Sequence, residues 1–215
     1  MTWVVFTYLL RANRLLATLR WAELVSAGAA AGAPLTLLLW GVPVGDGCRG
    51  VEIRSRLKQV CGALGEDPAS FSEPDVIVDL GDDGLLFIEV KYRSGNDHGP
   101  RDDSHWSRYA TAPGLGWHID GIKASGCYEL ARNWCLLKML ADGRPATLAN
   151  LGRARLFSGV EGARLDGFVA ALGTCRSSRF RKITWQEFLD PVTDDAPLWF
   201  TEFLRSRELI PPRLA

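Results

Sequence analysis

The sequence predicts an α/β domain built on a mixed β-sheet flanked by helices, and three observations carry that expectation. Helical and strand periodicities alternate along the chain, and two β-rich segments flank a tight polar turn at residues 81–84. The composition is that of a protein with a core, 47% hydrophobic and 23% charged over 215 residues. This length fits one domain, or one domain with an appendage. The composition excludes disordered, collagen-like and coiled-coil classes. With 25 Lys and Arg against 25 Asp and Glu, the formal net charge is zero, which excludes a polycation gripping nucleic acid by charge alone and leaves room for a local basic groove. Most of the basic residues are Arg, the better fork for phosphate or carboxylate.

Residues 3–10, WVVFTYLL, are compatible with a strand or with the start of a helix. Residues 12–27 place Leu15, Leu16, Leu19, Ala22 and Leu24 at mostly helical spacing. From Leu24 to Val44 run 21 residues without a formal charge, preceded by Arg11, Arg14 and Arg20, and a helix of that length would span a bilayer. The interior SAGAAAGAP breaks such a helix, however, and leaves LTLLLW as a buried strand. A cytoplasmic protein is therefore expected in preference to a membrane-tethered one, with residues 1–45 forming a hydrophobic N-terminal extension to a domain at 46–215. The five cysteines, at 48, 61, 127, 135 and 175, form no CxxC pair and read as reduced thiols.

Between Gly50 and Leu64 the positions Ile53, Leu57, Val60, Cys61 and Leu64 make one helical face, with Glu52 on the neighbouring face. PDVIVDL at 74–80 and LLFIEVKY at 85–92 form a hairpin around Asp82 and Asp83. Residues 93–126 read as a long loop broken at most by a short turn. A helix is expected at 127–141, a strand in RPATLANLG, a short helix in ARLDGFVAALG, a strand in RFRKITW and a closing helix at 195–208.

Chemistry concentrates on the hairpin. Alternate side chains of a strand share a face, so Glu89 and Lys91 emerge together beyond a stretch of core residues, a costly place for charge unless it is used or paired. A hairpin folded near residues 82 and 83 brings Asp75 alongside them. Asp75 stands directly opposite Glu89 or Lys91 only if the loop is odd in length or carries a bulge, and such a register is assumed. Two converging carboxylates beside an amine can hold Mg²⁺ or Mn²⁺ and support phosphodiester hydrolysis. A surface hairpin whose charges form solvated pairs is the competing interpretation.

Pro74-Asp75, thirteen residues, then Glu89-Val90-Lys91 resembles the motif of the PD-(D/E)XK, or restriction-endonuclease-like, nuclease superfamily. The resemblance implies a mixed β-sheet flanked by helices in the order αβββαβ, met here by residues from about 50 to 152, although GEDPASFSE at 65–73 reads as loop where the first strand is due. It further implies that Asp75, Glu89 and the carbonyl of Val90 bind Mg²⁺ or Mn²⁺, that Lys91 is catalytic, and that Glu52 on the preceding helix assists. The helix after the hairpin offers Glu129 and Arg132 where such proteins often have Gln. The implied activity is metal-dependent cleavage of nucleic acid, DNA foremost, with a homodimer compatible with cutting two strands. The alternative is a catalytically silent member that binds nucleic acid or a protein.

Further contacts to nucleic acid are expected from Arg93 and Arg101, in a loop that also holds Tyr92, Trp106, Arg108 and Tyr109, from Arg132 on the helix after the hairpin, and from Arg179 and Arg181 in a basic cluster with Arg176 and Lys182. Asp79 shares a face with Asp75 and either assists the metal or ends its strand. No GxxxxGK[ST], no GxGxxG after a strand and no recognisable Ser-His-acid order is present, which sets aside ATP-driven, dinucleotide and serine-hydrolase chemistry.

Overall fold

Runs of apolar residues too short for helices and continuous instead of alternating mark strands buried on both faces. In the computed structural model, which describes residues 1–212 apart from 27–33, 46, 68, 97–98, 100–102, 111, 113–114 and 174–176, those runs form the inner strands of a six-stranded mixed sheet flanked by helices, and the two edge strands are more exposed. The strands are β1 (Thr36–Leu39), β2 (Val42–Pro43), β3 (Val76–Asp79), β4 (Leu85–Val90), β5 (Ala146–Gly152) and β6 (Ser178–Thr184), in the spatial order β2-β1-β3-β4-β5-β6. β1 is antiparallel to β2 and β3, β3 is antiparallel to β4, and β4, β5 and β6 run parallel.

The two-residue period of a strand divides the sheet into two cores. Leu38, Ile77, Leu85, Phe87 and Leu148 face α3 (Cys48–Ala63), α4 (Asp103–Ala110), α5 (Ile119–Ser125), α6 (Tyr128–Ala141) and α7 (Gly159–Ala171). Leu37, Leu39, Val76, Val78, Leu86, Ile88 and Ile183 face α1 (Thr2–Arg11), α2 (Leu15–Trp21), α8 (Trp185–Thr193) and α9 (Leu198–Ser206). At the β3–β4 turn, Gly84 has φ of 132°, and a Cβ there would lie 2.8 Å from the carbonyl oxygen of Pro145. Only glycine meets both demands without strain.

The first 45 residues are not an appendage. Their β1 lies between β2 and β3, and Val5, Phe6, Leu9, Leu15 and Leu19 are fully or almost fully buried in the second core. Among the described residues no strand lies between 65 and 74; the second neighbour of β3 is β1, which precedes α3, so the order observed here is ββαββ where αβββ was expected. Among the described residues no helix is long and apolar enough to cross a membrane. WVVFTYLL lies in α1, and the closing helix is α9.

Two expectations fail for want of tertiary information. The stretch 93–126 contains α4 and α5, because Trp106 and Tyr109 bury against Tyr128, with Trp106 and Tyr128 rings 5.0 Å apart, and Tyr109 Oη donates to buried Glu66 at 2.7 Å. Neither ring is available to stack on a base. At the C-terminal end, Trp185 opens α8 instead of ending a strand, under a capping box in which Glu187 N donates to Thr184 Oγ1 and Thr184 N to Glu187 Oε2.

Asp79 serves the fold. It is 2% exposed and receives Arg49 Nε at 2.7 Å and Arg144 Nη1 at 2.8 Å, at the end of β3 remote from Asp75. Asp79→Ala is expected to cost about 3 kcal/mol, the low end of the range for stranding partners of a buried pair because both arginines keep access to water. Chemical denaturation of the variant measures this, and a loss below about 1 kcal/mol would reduce the cluster to a surface pair.

Candidate active site

The β3–β4 register decides the site. Val76 pairs with Ile88 and Ile77 with Phe87, so one step further Asp75 stands directly opposite Glu89, on the face that Leu85 and Phe87 share. This is the odd-loop register assumed from the sequence, produced by the 3-10 turn Gly81–Asp83 and Gly84. Asp75 is fixed by two donors: the indole Nε1 of Trp40 to Oδ1 at 2.9 Å and the main-chain N–H of Val90 to Oδ2 at 2.8 Å. Trp40 and Gly41 form the β1–β2 turn with φ of 48° and 68°. A tryptophan in the left-handed region is costly, and here that conformation accompanies the indole contact to Asp75.

Lys91 follows β4, and its ammonium lies 2.8 Å from Glu89 Oε1 and bonds Glu129 Oε2 on α6. One turn along α6, Asn133 Nδ2 donates to Glu89 Oε2 at 2.7 Å, since positions four apart on a helix share a face. Parallel β5 contributes Asn150, which donates to the Glu89 carbonyl at 3.4 Å and is bonded by Asn96 Nδ2 at 2.9 Å. Glu89, Lys91, Asn96, Asn133 and Asn150 are all buried. Asn133→Leu is expected to leave Glu89 short of a charge-assisted bond and to lower stability by roughly 1.5–3 kcal/mol, measurable by denaturant titration.

Burial pushes both motif carboxylates above their ordinary range. For Asp75 the bonds from Val90 and Trp40 and the Lys91 charge oppose that rise, and the Glu129 charge adds to it. For Glu89 burial is reinforced by the charge of Asp75 and opposed by Lys91. Burial alone would lower Lys91, but the charge of Glu89 and the hydrogen bonds to Glu129 and Glu89 outweigh it and hold the ammonium above its usual value. One ammonium thus faces three carboxylates.

Not every residue expected at the site is there. Glu52 is exposed on α3, between Arg49, which reaches Asp79, and Arg54, which pairs with Glu73 at 3.4 Å, and no hydrogen bond or ion pair among the described residues joins it to Asp75 or Glu89. Arg179 and Arg181 sit on β6, two strands from Glu89, where Arg179 Nε donates to Thr147 at 3.3 Å and Arg181 pairs with Glu23 at 2.7 Å. Arg132 is nearer, donating from Nε to Asn133 Oδ1 at 3.2 Å. Arg93 lies just beyond Lys91, lining a cleft with it. Arg101 and Arg176 fall outside the described residues. Asn133 and Asn150 are additions; Asn150 is a polar residue between apolar neighbours in a strand, which is a signal that could have marked it, and Asn133 shares a helical face with Glu129.

Among the described residues no group of three or more His, Cys, Asp and Glu side chains is arranged to hold a metal. The convergence rests on the Asp75–Glu89 pair, beside the main chain of Val90. No protein-family model, curated protein or solved structure matches the chain.

Proposed function

We propose that the protein is a divalent-metal-dependent nuclease of restriction-endonuclease-like architecture that hydrolyses phosphodiester bonds in DNA. The observation that carries this reading is the opposition of Asp75 and Glu89 across β3 and β4, with Lys91 held between Glu89 and Glu129. The architecture is supported by the position of these strands: antiparallel neighbours inside a mixed sheet, with β5 parallel to β4 and α6 supplying Glu129 and Asn133 over the pair.

The donor set suits Mg²⁺ or Mn²⁺. Both carboxylates offer hard oxygen ligands, and each oxygen that accepts one hydrogen bond keeps a further lone pair. Two adjacent anions, Glu89 buried and Asp75 half-buried, both raised toward protonation, are what a divalent cation relieves. Asp75, Glu89 and the carbonyl of Val90 would hold the ion. Bound there, it would polarise a phosphodiester oxygen and lower the pKa of a coordinated water. Lys91, kept protonated by Glu89 and Glu129, orients water or stabilises the charge that builds on the phosphate. Asn133 and Asn150 hold Glu89 and its main chain in place, and Trp40 does so for Asp75.

Incubating supercoiled plasmid and single-stranded DNA with the purified protein tests the reading. Nicking or linearisation with Mg²⁺ or Mn²⁺, and none with EDTA, is expected. A folded protein that binds Mn²⁺ yet cuts neither substrate would be a silent binding module.

A further inference from the structure

Because β4 and β5 are parallel, the segments that follow them leave the sheet at the same edge, next to Glu89 and Lys91. They enclose a cleft of about 210 Å³ lined by Lys91, Tyr92, Arg93, Arg153, Arg155 and Glu161, among others. Its wall is packed closely on the site: a Cβ on Gly152 would lie 2.4 Å from Leu156 Cδ2 and 3.4 Å from the carbonyl oxygen of Lys91.

The cationic groups of the cleft divide into two kinds. Arg153 is committed to the scaffold, with Nη1 at 2.9 Å from Glu208, Nη2 donating to the Arg207 carbonyl at 3.0 Å, and its guanidinium 4.4 Å from the Tyr92 ring centroid. Arg93 and Arg155 are exposed, and neither guanidinium has an ion pair or hydrogen bond among the described residues, Arg93 resting 5.5 Å from the Tyr92 ring centroid. The acid of the cleft is already engaged, since Glu161 Oε1 meets Arg164 at 3.2 Å and Oε2 accepts from Asn96 N at 3.4 Å. Two unengaged arginine forks beside the candidate catalytic lysine match phosphate oxygens. Tyr92 is occupied by the arginines and donates its hydroxyl to the Arg207 carbonyl at 2.9 Å, which places it as a support for them and not as a stacking platform for a base.

We infer that this cleft is a phosphate-binding subsite in which Arg93 and Arg155 grip the backbone of the nucleic-acid strand next to the phosphodiester at Lys91, independently of base sequence. The inference rests on the nuclease reading for its substrate, but binding and cleavage are separable. Fluorescence anisotropy of labelled single-stranded and duplex oligonucleotides, in EDTA and again in Ca²⁺, is measured over a range of salt for the wild type, Arg93→Gln, Arg155→Gln and Lys58→Gln. Lys58 is exposed on α3 and removes the same charge elsewhere. Each arginine variant is expected to bind about tenfold more weakly whatever the sequence, with the slope of log K against log salt reduced by about 0.7–0.9, while Lys58→Gln follows the wild type. Wild-type affinity in both arginine variants, an equal loss in Lys58→Gln, or no binding by the wild type in either buffer overturns the subsite. Metal-dependent plasmid cleavage by the wild type, scored separately, decides whether the nuclease reading survives that result.

Discussion

Lys91→Met is expected to lower DNA cleavage by about 10²–10³-fold, the cost of removing one preorganised charge donor from a site where negative charge develops. Methionine has similar length and reach, so the neighbouring packing is preserved. The loss should fall on kcat, with KM little changed, because Lys91 faces Glu89 and Glu129 and not the cleft arginines. The substitution also removes the ammonium that separates two carboxylates, and stranding partners of a buried pair costs about 3–5 kcal/mol. That cost appears as a lowered melting temperature in EDTA and should be partly recovered with Mn²⁺, since the ion would compensate Glu89, the carboxylate that it shares with Lys91. The two effects then separate: a variant with partly restored stability and no cleavage places Lys91 in the chemistry. Wild-type cleavage by a folded Lys91→Met protein would remove it from the chemistry and leave it as a counter-ion.

The hairpin and the convergence of its charged side chains were legible because they depend on local rules. Strand alternation puts Glu89 and Lys91 on one face, and a tight turn at residues 81–84 brings Asp75 near them, although only the 3-10 turn settles the register. Residues contributed from a distance were harder to read. β1 sits between β2 and β3 through pairing that no spacing in the sequence reveals, and Trp40 reaches Asp75 only because of it. Glu52 is exposed on its helix with no bond to Asp75 or Glu89 among the described residues, since periodicity gives a face but not what that face meets. Asn133 and Glu129 share a face that was readable from the helix, but their target was not, because α6 packs over β4 through contacts remote in sequence. α4 was missed because its sequence is polar and broken by flanking Gly and Pro, and Trp106 and Tyr109 earn their burial only against Tyr128 and Glu66.

Without metal, Asp75 and Glu89 should contribute to stability with a pH dependence opposite to that of most carboxylates, and Glu89→Gln should expose it. Asp75 and Glu89 have native values raised above the ordinary range near 4. A raised native value means that the folded state holds protons more tightly than the unfolded state. The stability these groups contribute is therefore fully present below about pH 4 and is lost as pH rises through their native values. Lys91 does not mask this, because its own raised value keeps its contribution intact until alkaline pH. Ion pairs elsewhere impose the usual acid destabilisation, so the informative quantity is the difference between wild type and Glu89→Gln, whose neutral amide has no such penalty. In EDTA the variant should gain in melting temperature relative to wild type as pH is raised from the acid side toward 8. Adding Mn²⁺ at about a hundred times its dissociation constant should stabilise the wild type by about 2.7 kcal/mol, or about 5–10 °C for a chain of this size. Glu89→Gln should respond far less. Binding by the wild type should also release protons, more of them at mildly acid pH than at pH 8, because the carboxylates must be ionised to receive the ion. Calorimetric titration in buffers of different ionisation enthalpy counts those protons. Equal stabilisation of both proteins by Mn²⁺ with no proton release would place any metal somewhere other than between Asp75 and Glu89.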